Sequence, residues 1–320
     1  MKQNKHQIKH KTAKFLVDRS QTLYNIYMEK LHIPVLLSEV LASLRPSAGE
    51  SYLDLTAGYG GHAEKILDVT QNYKDSVLVD RDQFAIDYLE SKFRYTGIAL
   101  IHDDFYSSML QLLQCGKTFD IILADFGVSS PQLDMEDRGF SFRAEAPLDM
   151  RMDKRQALTA TTVVNRWSER DLADIFVRYA EESPGRAKML AKAIVHARPL
   201  RTTSELADLI KSKTGYHSKV HPATRIFQAI RIAVNGELEQ IEQTLPLLPK
   251  LLNPGGRLGL ITFHSLEDRL VKTYFKEASS YGEESPLEIL TKKPIVAESQ
   301  ELVINPRSRS AKLRVAKKRN

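Results

Sequence analysis

Apolar residues fall into two spacings along this chain. Short runs, Tyr52-Leu53-Asp54-Leu55, Val77-Leu78-Val79, Ile98-Ala99-Leu100-Ile101 and Phe119-Asp120-Ile121-Ile122-Leu123-Ala124, have the length and content of strands buried on both faces. Between them, Ala63 to Leu67 and Gln83 to Phe93 repeat at the spacing of one helix face. Ahead of the first run, Ser38 predicts the cap of a short helix through Leu44. Strands separated by helices predict an α/β fold with a parallel doubly wound sheet, whose ligands collect at the carboxyl ends of the strands.

The alternation stops near Asp134. From there to His221 the pattern predicts helices only, over Glu169 to Tyr179, Gly185 to His196 and Ser204 to Lys213, with Gly215-Tyr216-His217 and Pro222 punctuating the exit. A long helix is expected from Ala223 to Leu245 or beyond, then a turn at Asn253-Pro254-Gly255-Gly256. Arg257 to Phe263 resumes the sheet and Leu266 to Phe275 is the next helix. Leu302-Val303-Ile304 and Lys312-Leu313-Arg314-Val315 are expected to close the sheet as strands. The predicted organisation is a basic extension over 1–31, a core over 32–133 and 223–320, and an inserted helical unit over 134–222 that would recognise the substrate.

Composition narrows the class. The chain has 320 residues, 42% of them hydrophobic and 27% charged, enough to bury a substantial core. No apolar run approaches membrane-spanning length and no signal-peptide pattern opens the chain, so no membrane partner is expected. A single cysteine, Cys115, excludes an intrachain disulfide and a cysteine-based metal cluster, which makes the cytoplasm the simplest location. The net charge of +6 permits a nucleic-acid partner. Lys2, Lys5, Lys9, Lys11 and Lys14 crowd the first residues, either as a solvated tail or as an arm on RNA phosphates.

The candidate chemistry centres on Asp54-Leu55-Thr56-Ala57-Gly58-Tyr59-Gly60-Gly61-His62, a strand running into a glycine-rich turn and a helix. Gly58, Gly60 and Ala63 satisfy the dinucleotide spacing G-x-G-x-x-A, so the glycines alone do not separate a nicotinamide oxidoreductase from a methyltransferase. The acids separate them better. Asp54, just before the loop, would repel a pyrophosphate but suits the cationic amino-acid end of S-adenosyl-L-methionine. Asp80 ends the next strand, where an acid can hold ribose hydroxyls. Phe105, just past a strand end, either stacks on an adenine ring or belongs to the core. A non-catalytic RNA-binding module is the third reading.

From Asp125 onward the residues carry a resemblance. Asp125-Phe126-Gly127-Val128-Ser129-Ser130-Pro131-Gln132, Arg138-Gly139-Phe140-Ser141-Phe142 and Pro147-Leu148-Asp149-Met150-Arg151-Met152-Asp153 are similar to motifs of the MraW (RsmH) family of ribosomal RNA methyltransferases. So are His32 to Leu37, Gly60-Gly61-His62, His221 to Arg225, Phe263 to Arg269 and Asn305 to Ser310. The resemblance implies a Rossmann-like class I S-adenosylmethionine-dependent methyltransferase core with an inserted helical domain. The implied activity is methylation of the exocyclic N4 of a cytidine in the decoding centre of bacterial 16S rRNA, within the small ribosomal subunit. A second copy of the chain is a further candidate partner.

Carried over by position, the implied cofactor contacts are Gly60, Gly61, His62, Asp80, Phe105, Asp125 and Gln132. Methyl transfer is an in-line displacement, so positioning dominates, and the delocalised N4 lone pair calls for a group that accepts the amino proton. Asp125 fills that role or binds cofactor only, since Asp125-Phe126-Gly127-Val128 stands where many amino-methyltransferases have Asp/Asn-Pro-Pro-aromatic. His264 either accepts the proton or caps a strand-helix junction. Arg138, Arg143, Arg151 and Arg155 with Phe140 and Phe142 either contact RNA or form a solvated loop with Arg151 paired to Asp149 or Asp153.

Overall fold

A computed structural model describes residues 33–214, 221–280 and 282–320. The basic extension and the Gly215-Tyr216-His217 exit lie outside the described residues. The described residues begin with helix α1 (Leu37–Leu44) and strand β1 (Tyr52–Asp54). Then follow α2 (Gly61–Thr70), β2 (Val77–Asp80), α3 (Gln83–Lys92), β3 (Ala99–His102), α4 (Phe105–Gln114) and β4 (Phe119–Asp125). The sheet has the order β3-β2-β1-β4-β5-β7-β6, where β5 is Leu252–Thr262, β6 Leu287–Ile289 and β7 Lys312–Lys318. Strands β1 to β5 pair in parallel, and β7 runs antiparallel to both β5 and β6. The order reverses between β1 and β4, which opens a crevice outside their carboxyl ends.

Side chains alternate across the strands and build two cores. Leu53, Val77, Val79, Ile122, Ala124, Leu258 and Leu260 face Met109 and Leu112 of α4 together with Val271 and Phe275. Tyr52, Leu78, Ile121, Leu123 and Ile261 face Val40 and Leu44 of α1, Ile66 and Leu67 of α2, and Ile86 and Leu89 of α3. A third apolar cluster belongs to the helical stretch after β4, in which α5 (Ser130–Asp134), α6 (Ala160–Arg166), α7 (Glu169–Ala180), α8 (Pro184–His196) and α9 (Thr203–Thr214) precede α10 (Ala223–Asn235). It runs from Phe140 through Val234 and takes in Leu266, so α10 packs with the helices before it.

Four local expectations are corrected. Leu36, with φ 56°, begins α1 without a side-chain cap, so Ser38 lies inside the helix. The long helix predicted from Ala223 breaks at Gly236, whose φ of 60° ends α10 before α11 (Glu237–Thr244) and α12 (Leu248–Leu251). Asn253 to Gly256 bulges out within β5, because Leu252 pairs with Phe119 while Arg257 pairs with Ile121. Leu302-Val303-Ile304 ends a short helix, α14 (Ser299–Ile304), after α13 (Ser265–Ala278). Val303 and Ile304 are exposed there, so three apolar residues did not make a strand.

Candidate active site

The carboxyl ends of β1, β2 and β4 and the start of α13 surround a cavity of about 590 Å³. Asp54 does not line it, which corrects its assignment to the amino-acid end of a cofactor. The Tyr52 hydroxyl donates to its Oδ2 at 2.7 Å and the Thr56 amide to its Oδ1 at 3.1 Å. Burial pushes its carboxyl up to about 7. Asp80 does line the cavity, accepting from the amides of Gly58 and Asp82, each at 2.8 Å. Those two bonds tie the glycine loop to the turn after β2. Burial outweighs them and raises Asp80 to about 6.

The predicted glycines divide their work. A Cβ on Gly60 would fall 2.9 Å from Leu89 Cδ2, so this residue lets α2 approach α3 and does not face the cavity. Gly61 faces it, and a Cβ there would lie 2.4 Å from Pro34 Cγ. His62 also lines it, with Nε2 donating to the Val35 carbonyl at 2.9 Å. Phe105 belongs in part to the core, its ring packing 5.6 Å from that of Phe126 beside the cluster that faces α4, and it also borders the cavity.

Gln132 borders the cavity with an amide largely engaged by the protein. Its Oε1 accepts from the Ser129 amide at 3.1 Å in a capping box, and its Nε2 donates to Asp82 Oδ2 at 2.9 Å. That leaves one amide hydrogen for a ligand. Asp125 is half-buried at the end of β4, its amide donating to Thr56 Oγ1 at 2.6 Å and its Oδ1 buried with no partner. Burial, then the charges of Asp54 and Glu267, push its carboxyl well above the usual range. His264 is the cap of α13, as one of its readings held. Its Nδ1 accepts from the Glu267 amide at 3.4 Å and its Nε2 lies 3.2 Å from Glu267 Oε1, while the ring lines the cavity. Burial alone would raise Glu267, but the hydrogen bond and charge of His264, with Arg231 and the Phe263 amide, hold it below its usual value.

Three of the predicted RNA contacts, Arg138, Phe140 and Arg151, are corrected, Arg151 taking its alternative reading as a partner of Asp149. Arg138 is 2% exposed, pairs with Asp82 at 2.9 Å and donates to the carbonyls of Arg151 and Met152. Phe140 is buried against it. Arg151 grips Asp149 through Nε and Nη2 at 2.8 and 2.9 Å and spends Nη1 on the carbonyls of Lys154 and Gln156. Phe142 packs edge-on against Phe227, and Arg155 holds Asp153 and the His102 carbonyl. Arg143 alone of the four arginines is exposed without an ion pair among the described residues. None of this segment's arginines lines the cavity.

Several lining residues escaped sequence reading. Gly58 stood in the glycine motif, and Arg307, Arg309 and Ser310 stood in a recognised one, so a signal existed for them. Arg231 and Glu237, a bidentate pair at 2.8 Å, carried none, because polar positions on a helix ordinarily face water. No group of His, Cys, Asp and Glu suited to a metal ion occurs among the described residues, and none of their helices is long and apolar enough to cross a membrane.

A seven-stranded sheet with one reversed strand, a glycine loop after β1, an acid after β2 and a crevice at the switch point define a class I methyltransferase fold. The chain belongs to the MraW methylase family, whose model matches residues 29–319. It is 49% identical over 292 residues to the ribosomal RNA small subunit methyltransferase H of a Cyanothece species, covering 91% of this chain and 95% of that one. The protein of the same name from Acaryochloris marina is 48% identical over 297 residues, with 90% and 94% covered. Family membership sets the oxidoreductase reading aside. Among solved structures, the N-methyltransferase NodS from Bradyrhizobium japonicum, in complex with S-adenosyl-L-homocysteine, aligns with a TM-score of 0.41 at 12% identity, over 89% of this chain and 86% of that one.

Proposed function

We propose that this chain methylates the exocyclic N4 of a cytidine in the decoding centre of bacterial 16S rRNA, using S-adenosyl-L-methionine, on small ribosomal subunits in the cytoplasm. The observation that carries this reading is an acid-lined crevice at the switch point of the sheet, in a chain of the MraW methylase family. The residues present fit the cofactor. The cavity's size suits a nucleoside-sized ligand, Asp80 keeps lone pairs free beyond its two backbone bonds, and Asp125 Oδ1 is an orphaned buried acceptor.

When bound, the cofactor supplies an electrophilic methyl group on a cationic sulfur. Asp80 then holds ribose hydroxyls, Phe105 borders the adenine, and Gly58, Gly61 and His62 line the loop side. We assign to Asp125 the acceptance of a hydrogen bond from the cytosine amino group, which localises the N4 lone pair and takes up the proton. Burial beside Asp54 and Glu267 favours its neutral form, and a cation alongside favours the carboxylate. The acceptor therefore becomes competent when a cationic donor is in place. His264 has Nδ1 committed to the α13 cap, and its buried Nε2 makes no hydrogen bond but lies in ion-pair contact with Glu267 Oε1, so we assign it the role of holding Glu267 beside Asp125.

The helical stretch 134–222, with α10 packed into it, is assigned to RNA recognition. The test is labelled methyl transfer to small subunits from a strain lacking this gene, with mass spectrometry of the nucleosides. N4-methylcytidine is expected. Finding 5-methylcytidine would overturn the assignment, because carbon methylation ordinarily needs a cysteine nucleophile. Cys115 sits at the far end of the ten-residue α4 from Phe105, about 15 Å away along the helix.

A further inference from the structure

Of the arginines in 138–155 only Arg143 faces outward without an ion pair among the described residues, so that segment offers little outward positive charge. A denser positive surface lies in a groove between α8 and α9. Met189, Ala193 and Leu209 form part of its floor, and Lys192, His196 and Lys213 stand around it, enclosing about 450 Å³. No carboxylate lines the groove among the described residues. Lys188 and Lys211 are exposed on the same two helices. None of these four lysines makes an ion pair among the described residues, where the paired lysines are Lys65, Lys92 and Lys312. Asp208, the nearest acid in sequence, precedes Leu209 without lining the groove. Met189 leaves 40% of its surface exposed.

The groove is also placed in relation to the crevice. Glu181, just before α8, receives the Ser265 hydroxyl at 2.7 Å and Arg269 at 2.8 Å. Both lie in the first turns of α13, whose cap His264 lines the crevice. From that anchor α8 rises about 8 Å to Met189 at the near edge of the groove and about 18 Å to His196 at its far edge, at 1.5 Å per residue. That is roughly two to five steps of stacked nucleic acid at 3.4 Å each.

We propose that the Lys192, His196 and Lys213 groove binds the RNA strand flanking the target nucleotide, with amines on phosphates and the Met189 and Leu209 floor under an unpaired base. The proposal rests on the RNA methyltransferase reading above and names the surface that reading needs. An enzyme acting on one splayed base must hold the neighbouring strand as well. Unpaired lysines around an apolar floor combine the two ingredients of sequence-tolerant single-strand binding, backbone charge and a surface for a base face. A second copy of the chain is a poor occupant, since a two-fold contact would press like charges together.

The test compares the full chain with a Lys192→Glu, Lys213→Glu double variant and a Lys192→Arg, Lys213→Arg double variant. Filter binding of a decoding-centre RNA fragment across salt concentrations is combined with methyl transfer to small subunits at saturating cofactor. Charge reversal is expected to weaken RNA binding tenfold or more and to flatten the dependence of log affinity on log salt by about 1.4, the value for two lost single-strand phosphate contacts. KM for the subunit rises, kcat and cofactor affinity hold, and the arginine variant behaves as wild type. Unchanged RNA affinity and salt slope in a variant that melts like wild type would overturn the proposal. So would unchanged RNA binding with impaired transfer to intact subunits, which would make the groove's occupant a ribosomal protein. Wild-type product formation, measured in parallel, keeps failure of this surface distinct from failure of the methyltransferase reading.

Discussion

Asp125, Asp80 and Asp54 each sit at or beside a strand end, and their hydrogen bonds give them different work. Asp125 has an orphaned oxygen in the crevice, so Asp125→Ala should lower kcat by about 10²–10⁴-fold, the usual share of a positioned proton acceptor, while calorimetry still detects cofactor binding. Asp80→Ala should weaken cofactor binding by about 1.5–3 kcal/mol, the range for hydrogen bonds to a charged group. Unchanged affinity in the folded variant would remove Asp80 from the ribose site. Asp54 is linked to stability. Its carboxyl, raised to about 7, keeps a proton that the unfolded chain has already released. The stability it contributes is therefore fully present below about pH 4 and lost as pH rises through 7. Denaturant titrations should show Asp54→Asn flattening that decline by up to about 4 kcal/mol; a wild-type slope in the variant would contradict it. Asp80 and Phe105 were legible as crevice-lining residues because Asp80 ends β2 and Phe105 follows the end of β3, where a parallel sheet gathers its ligands. Asp54 was misread because Tyr52, two residues back on the same face, captures it. Arg138 was misread because its partner, Asp82, is distant in sequence and invisible to local pattern.

At the scale of elements, periodicity served where burial is one-sided. Helices α7, α8 and α9 lie within a residue or two of their predicted bounds, since each shows a single apolar stripe to the third cluster. Strand β4 matches Phe119 to Asp125 because its run is apolar on both faces. Breaks were harder to read. Gly236 interrupts a continuous helical pattern, and only packing shows that α10 and α11 belong to different clusters. The glycine loop makes a sharper test. A Cβ on Gly61 would collide with Pro34 on the segment leading into α1, an overpacking that costs about 1–3 kcal/mol. Gly61→Ala should lower the melting temperature and weaken cofactor binding together. Gly185, in the first turn of α8, has nothing within 4 Å of its Cβ position, so Gly185→Ala should leave stability unchanged or raise it by about 0.4–1 kcal/mol. Calorimetric scans giving both variants the same shift would show that Gly61 is not a packing constraint.

At the scale of the whole molecule, the helical stretch meets the crevice through a buried polar joint. Arg138 joins Asp82 to the carbonyls of Arg151 and Met152, Asp82 receives Gln132 and caps α3, and the Asp82 amide donates to Asp80. Asn235 extends the joint, donating to the Met150 carbonyl, accepting from the Met152 amide and receiving Arg81 on its own carbonyl. Removing one partner of a buried pair leaves the other charge without its counterion, at a cost of about 3–5 kcal/mol. Arg138→Ala should therefore destabilise the protein by that order and also weaken cofactor binding, because Asp82 orients both Asp80 and Gln132. The exposed pair Arg178–Asp174, with side chains 57% and 59% accessible, supplies the control, and Arg178→Ala should stay within about 0.5 kcal/mol. Adding Asp82→Ala to Arg138→Ala should cost less than the sum of the single losses, since the uncompensated charge is then gone. Strict additivity in urea titrations, or cofactor affinity untouched by Arg138→Ala, would mean that the helical stretch and the crevice are joined by packing alone.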